Sequence, residues 1–253
     1  MAGKGGVGKS TVSSILIRNL SKFKDGVILA VDADSNSTLG KMLGITIDQT
    51  IGDLREELLA EKDKLPPGMS KPEYVNYQLH LAMAEGDKFD LLTMGRPEGP
   101  GCYCYINNIL RTYMDSLVDK YAYVIIDNEA GMEHLSRRTT RAMDKFFIVT
   151  DYTPIGFETA KRIFELSKSL DLQIKDTYLI INRIPDGGTE GVSQEHPVIK
   201  QFRDEKKFSA IFYIPNDEKL LQHTFEGKTL LELGDDSVIV RKVNEIIKNS
   251  GVV

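Results

Sequence analysis

Two hydrophobic patterns alternate along the chain. The first is a set of short, largely apolar runs: Val27–Val31, Phe89–Met94, Tyr123–Ile126, Phe146–Val149, Tyr178–Ile181 and Ala210–Ile214. Runs of this length with no polar face suit strands buried on both sides. The second is periodic. Ser10–Phe23 carries Val12, Ile15, Leu16 and Leu20 at helical spacing, Ile51–Ala60 is amphipathic, and Tyr74–Ala84 also reads as a helix. Ile106, Ile109, Leu110, Tyr113 and Leu117 mark a further helix face, and Pro154 suits the first turn of another. In the tail, Ser237–Lys248, the residues Val240, Val243, Ile246 and Ile247 share one face, as in a packed helix. This alternation predicts an α/β fold, a doubly wound and mostly parallel sheet of about six strands with helices on both faces. No repeat or low-complexity linker divides the chain, so residues 1–253 read as one domain.

The polar interruptions carry the chemistry. Gly3-Lys4-Gly5-Gly6-Val7-Gly8-Lys9-Ser10 fits the phosphate-loop pattern G-x-x-x-x-G-K-[ST] and runs straight into the first helix. Glycines let the backbone curl with its N–H groups turned inward, and the helix N-terminus adds a positive dipole end. Gly5, Gly6, Val7, Gly8, Lys9, Ser10 and Thr11 are therefore the candidate nucleotide contacts. Lys9 would neutralise the outer phosphates of ATP and Ser10 would hold Mg²⁺. A loop of this kind follows a strand, yet only Met1 and Ala2 precede Gly3. The first strand is expected to be missing or truncated, with a few more apolar residues upstream in the native chain.

Other acids close the apolar runs. Asp32 and Asp34 follow the Val27–Val31 run, where ligands bind in open parallel sheets, although an Asx residue such as Asp34 also caps turns there. Asp127 ends the Tyr123 run, the usual place of a carboxylate that holds Mg²⁺ through water. Gly131 lies in the following segment, where it would let the chain move when phosphate leaves. His134 is open between a functional role and that of an ordinary satisfied polar group. Asn182, an amide able both to donate and to accept, ends the Tyr178 run.

Composition trims the options. Lys plus Arg total 32 against 37 Asp plus Glu, a net charge of -5. That argues against a nucleic-acid partner. No apolar run approaches membrane length and no signal peptide shows, so a cytoplasmic protein without a membrane partner is expected. The two cysteines, Cys102 and Cys104, stand one residue apart behind Gly95-Arg96-Pro97-Glu98-Gly99-Pro100-Gly101. Such a pair makes no disulfide scaffold. Two thiolates are half a tetrahedral site, and two copies across a two-fold axis would supply four, for Zn²⁺ or Ni²⁺. Taken alone, C-x-C is equally consistent with two ordinary thiols.

The form G-K-G-G-V-G-K-S resembles the deviant phosphate loop of the MinD/ParA/nitrogenase-iron-protein ATPases. The resemblance implies that Lys4 reaches across a homodimer interface to the partner's nucleotide, and that Asp34 positions the attacking water. It also implies that Asn182 contacts adenine, with Pro215, Asn216 and Asp217 beside the base. Together with Cys102-Tyr103-Cys104 and Glu129-Ala130-Gly131-Met132-Glu133-His134-Leu135-Ser136-Arg137, the chain looks like the CooC family of nickel-insertion ATPases and its AcsF relatives. This implies an ATP-switched homodimer that binds nickel or zinc. Its client would be carbon monoxide dehydrogenase or acetyl-CoA synthase. The competing reading is a positioning or partition ATPase without a metal role. An iron–sulfur reductase would need two well-separated cysteines per subunit, and the chain has one close pair.

Overall fold

The computed structural model describes residues 1–23, 26–60, 66–96, 112–113, 115–117, 119–129, 142–170, 172–185 and 197–253. The first half runs β1 (Ala2–Gly3), α1 (Lys9–Ser21), β2 (Ile28–Ala33), α2 (Thr38–Leu43), α3 (Ile51–Ala60), α4 (Lys71–Leu81), β3 (Met83–Glu85), β4 (Phe89–Thr93) and β5 (Tyr123–Asn128). It continues through β6 (Ala142–Asp151), α5 (Pro154–Ser169), β7 (Gln173–Ile184), α6 (Pro197–Asp204), β8 (Ala210–Pro215), α7 (Glu218–Phe225) and α8 (Val238–Asn249).

The strands form two four-stranded ladders, β3-β4-β2-β5 and β1-β6-β7-β8. Every pair is parallel except β3 with β4. Met1 stitches the ladders together. Its amine donates to the Ile126 carbonyl at 2.7 Å, and its carbonyl accepts from the Asn128 N–H at 3.1 Å. The result is one sheet in the order β3-β4-β2-β5-β1-β6-β7-β8. β1 itself comprises two residues, Ala2 and Gly3.

The unbroken apolar runs have a simple cause. Successive strand residues point to opposite faces, and both faces are covered. Phe147, Val149, Tyr178 and Ile180 meet α1 and α8 through Ile15, Leu16, Val240 and Ile247. Their neighbours Phe146, Ile148, Leu179 and Ile181 meet Phe157, Ala160, Ile163 and Phe202 on the other side. Leu29, Val31 and Leu92 pack likewise on Leu54, Leu58, Val75 and Leu79 from α3 and α4. Each such side chain contributes about 1.5–3 kcal/mol on burial.

The structure corrects several boundaries. The predicted helix Tyr74–Ala84 starts earlier and stops sooner. Ser70 and Glu73 form a capping box that begins α4 at Lys71, and Met83–Glu85 leaves the helix to pair antiparallel with β4. A three-residue edge strand is too short to show a period. Among the described residues eight strands therefore stand where about six were expected. Helices α6 and α7 were not anticipated either. Of the predicted helix carrying Ile106 to Leu117, residues 112–113 and 115–117 are helical, and the rest lies outside the described residues.

Candidate functional site

The phosphate loop spans the turn from β1 to α1. Gly3 runs so close to β6 that a Cβ there would stand 2.1 Å from the Val149 carbonyl oxygen. At the other end Gly8 holds φ 94 at the helix N-cap, and its Cβ would stand 2.5 Å from Asn182 Nδ2. Both positions exclude a side chain for reasons that lie in neighbouring strands. The Gly8 carbonyl accepts from the Val12 N–H at 2.9 Å, which starts α1. The free N–H groups of its first turn are a ready anion site.

Lys9 is 6% exposed, and its Nζ donates to the Lys4 carbonyl at 3.2 Å. Burial lowers its pKa, opposed by the charges of Asp127, Asp34 and Glu129. Asp127, next to last in β5, is fully buried. Its Oδ1 accepts from Ser13 Oγ at 3.0 Å, while Oδ2 is buried without a hydrogen-bond partner. Burial pushes this carboxyl up; the Ser10 hydroxyl, the N-terminal ammonium, Ser13 and Lys9 pull it back. An unpartnered buried carboxylate oxygen beside Ser10 fits a Mg²⁺ shell reached through water. Thr38 Oγ1 approaches Ser10 Oγ at 3.4 Å. Among the described residues no three His, Cys, Asp or Glu side chains converge as a metal-binding group. The Ser10 hydroxyl, nucleotide phosphates and water are the kind of oxygen donors that suit Mg²⁺.

Asp32 and Asp34 divide the roles open to them. Asp32 is fully buried and fastens the loop after β2: Oδ1 accepts from the Asp34 N–H at 3.1 Å and Oδ2 from the Leu39 N–H at 2.9 Å. Burial raises its pKa to about 6, against those two bonds and with help from the Asp127 and Asp34 charges. Asp34 lies at the rim. Its Oδ1 accepts from the Asn36 N–H and from Asn36 Nδ2, both at 2.9 Å, which is a turn-capping bond. Only one carboxylate oxygen carries that cap. Ser35 Oγ donates to Glu129 Oε1 at 3.2 Å, tying this loop to the segment after β5.

At the opposite end Asn182 Nδ2 donates to the Val7 carbonyl at 2.8 Å, and Arg183 Nη1 to the Gly6 carbonyl at 2.8 Å. Arg183 holds φ 58, a left-handed conformation that is uncommon for a side chain of its size. Asn216 N–H donates to the Ile184 carbonyl at 2.9 Å and so places Pro215-Asn216 beside Asn182. The Asp217 carboxylate is committed within the fold. It accepts from Leu220 N–H and Ser237 Oγ, and from Ile239 N–H at 2.9 Å. Its contribution is to hold the loop and cap α7.

The structure thus brings Lys4 to Thr11, Asp34, Asp127, Asn182 and Pro215 to Asp217 to one end of the sheet. Cys102, Cys104, Gly131 and His134 lie outside the described residues. The sequence reading did not anticipate Ser13 or Arg183, and it assigned no separate role to Asp32. Ser13 was within reach, because i and i+3 share a helix face and place it beneath Ser10. Arg183 gave no signal, since its grip on Gly6 depends on a backbone angle.

A parallel sheet, a glycine loop at a helix N-terminus and a buried strand-end aspartate define a phosphate-loop ATPase. Residues 1–230 match the family described as the CobQ/CobB/MinD/ParA nucleotide binding domain, and the chain belongs to that family. It is 40% identical to an uncharacterized ATP-binding protein of Methanocaldococcus jannaschii, across 97% of this chain and 95% of that one. It is 29% identical over 195 residues to the carbon monoxide dehydrogenase accessory protein CooC of Rhodospirillum rubrum, covering 73% of each. The fold resembles the ParA family ATPase of Chlorobium tepidum with a TM-score of 0.69, at 22% identity over 97% of this chain and 95% of that one. Among the described residues no helix is long and apolar enough to cross a membrane.

Proposed function

We propose that this ATPase is a metallochaperone that loads nickel into carbon monoxide dehydrogenase or acetyl-CoA synthase. What carries the reading is the Cys102-Tyr103-Cys104 pair in a chain similar to a carbon monoxide dehydrogenase accessory protein. In this reading the chain works as a homodimer, and Cys102 and Cys104 of two copies share one Ni²⁺ or Zn²⁺ ion as cargo. Lys9 balances the phosphates of ATP, Ser10 and, through water, Asp127 hold Mg²⁺, and Asp34 orients the water that attacks the γ-phosphorus. Bond cleavage then yields ADP and phosphate. Lys4 reaches the partner's nucleotide, so ATP favours the closed dimer and hydrolysis releases it. Asn182 and the Pro215-Asn216 backbone receive adenine.

The test is a titration of the reduced protein with Ni²⁺ and Zn²⁺, with and without ATP. The expected stoichiometry is one ion per dimer, with affinity falling at low pH because thiolates must be deprotonated. Cys102→Ser or Cys104→Ser should sharply weaken binding. One ion per monomer, or binding that survives the double substitution, would refute the shared site. A positioning or partition role is the second reading, favoured by the ParA-like fold. ATP-dependent binding to DNA or to anionic vesicles would select it, although a net charge of -5 works against both surfaces.

A further inference from the structure

The end of β7 breaks the two-residue alternation of a strand. Ile181 opposes Tyr213 and Ile184 opposes Pro215 on β8, so three steps along β7 meet two along β8. That is a β-bulge with one extra residue. The packing shows its effect. Leu179, Ile181 and Ile184 all belong to the apolar cluster under α5 and α6. Regular alternation would turn Ile184 to the opposite face and set Arg183 in that cluster instead. The bulge frees Arg183 from the core, at the left-handed angle of φ 58 that disfavours a side chain.

Asn182 and Arg183 then take hold of two consecutive carbonyls of the phosphate loop. Arg183 Nη1 donates to the Gly6 carbonyl and Asn182 Nδ2 to the Val7 carbonyl, both at 2.8 Å. In a planar trans peptide the C=O and N–H point in opposite directions. Gripping the Gly6 carbonyl therefore aims the Val7 N–H away from β7, and gripping the Val7 carbonyl does the same for the Gly8 N–H. Among the described residues no backbone carbonyl accepts from either N–H. Successive N–H groups turned to one side form an anion-binding concavity. Packing does little to fix the first of these peptides. Gly6 holds φ 77, and nothing stands within 4 Å of where its Cβ would be.

We propose that Asn182 and Arg183 form a clasp that holds the nucleotide-free phosphate loop in its anion-binding shape, with Arg183 as a positioning residue for the phosphates. Arg183 acts through the Gly6–Val7 peptide, and Asn182 holds the next one. Without the guanidinium, the Val7 N–H is no longer fixed and must be ordered again each time phosphate binds. The inference rests on the ATPase site alone. Neither readout below involves metal cargo or a second subunit, so the metal reading can fail without it, and it can fail without the metal reading.

The experiment compares the native chain with Arg183→Ala and Arg183→Gly. Both variants lose the grip on Gly6, but glycine accepts the left-handed angle at no steric cost. Arg183→Gly should therefore melt higher than Arg183→Ala, by roughly 2–4 °C. Inorganic pyrophosphate, titrated by calorimetry, carries no base and reports on the loop alone. Its affinity should fall about tenfold in both variants, as for a loop whose competent shape is populated one time in ten. Backbone relaxation of the ligand-free proteins supplies the second readout. The Val7 amide should move from an order parameter of about 0.85 to below about 0.6 in both variants, while Gly8, still held through Asn182, changes less. Native-like pyrophosphate affinity in Arg183→Gly would overturn the proposal, because the backbone angle alone would then matter. An unchanged Val7 order parameter in the ligand-free variants would overturn it too, since a guanidinium that touched phosphate directly would leave the empty loop as it was.

Discussion

Gly8→Ala is the sharpest test of how the phosphate loop is held. Two costs can be worked from the structure. A side chain at φ 94 occupies the left-handed region, for about 1–2 kcal/mol. The new Cβ would also stand 2.5 Å from Asn182 Nδ2, so the amide must leave and its bond to the Val7 carbonyl breaks. That bond is worth about 1 kcal/mol. The sum is roughly 2–3 kcal/mol, a fall in thermal midpoint of roughly 4–12 °C for a chain of this size. Gly6→Ala is the internal control. Its φ is 77, but nothing stands within 4 Å of the added Cβ, so only the backbone cost applies. The two effects separate in an Asn182→Ala background, where the steric part of Gly8→Ala disappears. Denaturant melts of the four proteins should give a coupling of roughly 1 kcal/mol between positions 8 and 182. An identical cost for Gly8→Ala in both backgrounds would refute the contact as the reason for glycine here.

Four further substitutions have expected outcomes. Lys9→Ala should greatly reduce turnover, while Asp34→Asn should keep ATP binding and slow hydrolysis; near-normal steady-state rates in Asp34→Asn would remove its role with water. Lys4→Ala should leave nucleotide binding to the monomer intact and weaken ATP-dependent dimerisation, and an unchanged dimer fraction in sedimentation would rule out a role across the interface. Asp32 has its folded pKa raised from 3.8 to about 6, so its ionisation is harder in the folded state. Its contribution is therefore fully present below about pH 4 and lost as pH rises to about 6, on the order of 3 kcal/mol in all. Nucleotide-free melts from pH 4 to 7 should show that loss, and Asp32→Asn should flatten it.

The α/β class and the phosphate loop were legible in the sequence because each has a local signature. A strand buried on both faces must be apolar throughout, and a loop that wraps phosphate must contain glycine. Asp127 was legible for a similar reason, since it ends an apolar run at the ligand side of the sheet. What the order of residues could not reveal depends on contacts between distant segments. Asp34 and Asp32 stand two residues apart and look equivalent, yet one is fastened to Leu39 inside the fold and the other caps a turn at the rim. Asp217 looks like part of a nucleotide loop, and its carboxylate is occupied by Ser237 and Ile239 on the segment that starts α8. Gly8 fits the motif by type, but the reason it cannot carry a side chain is Asn182, 174 positions later in β7. The sequence determined which backbone shapes were required and where charge could gather. The tertiary structure decided which charges are buried, which are already satisfied and which remain free for a ligand, because burial and hydrogen-bond partners are set by neighbours in space.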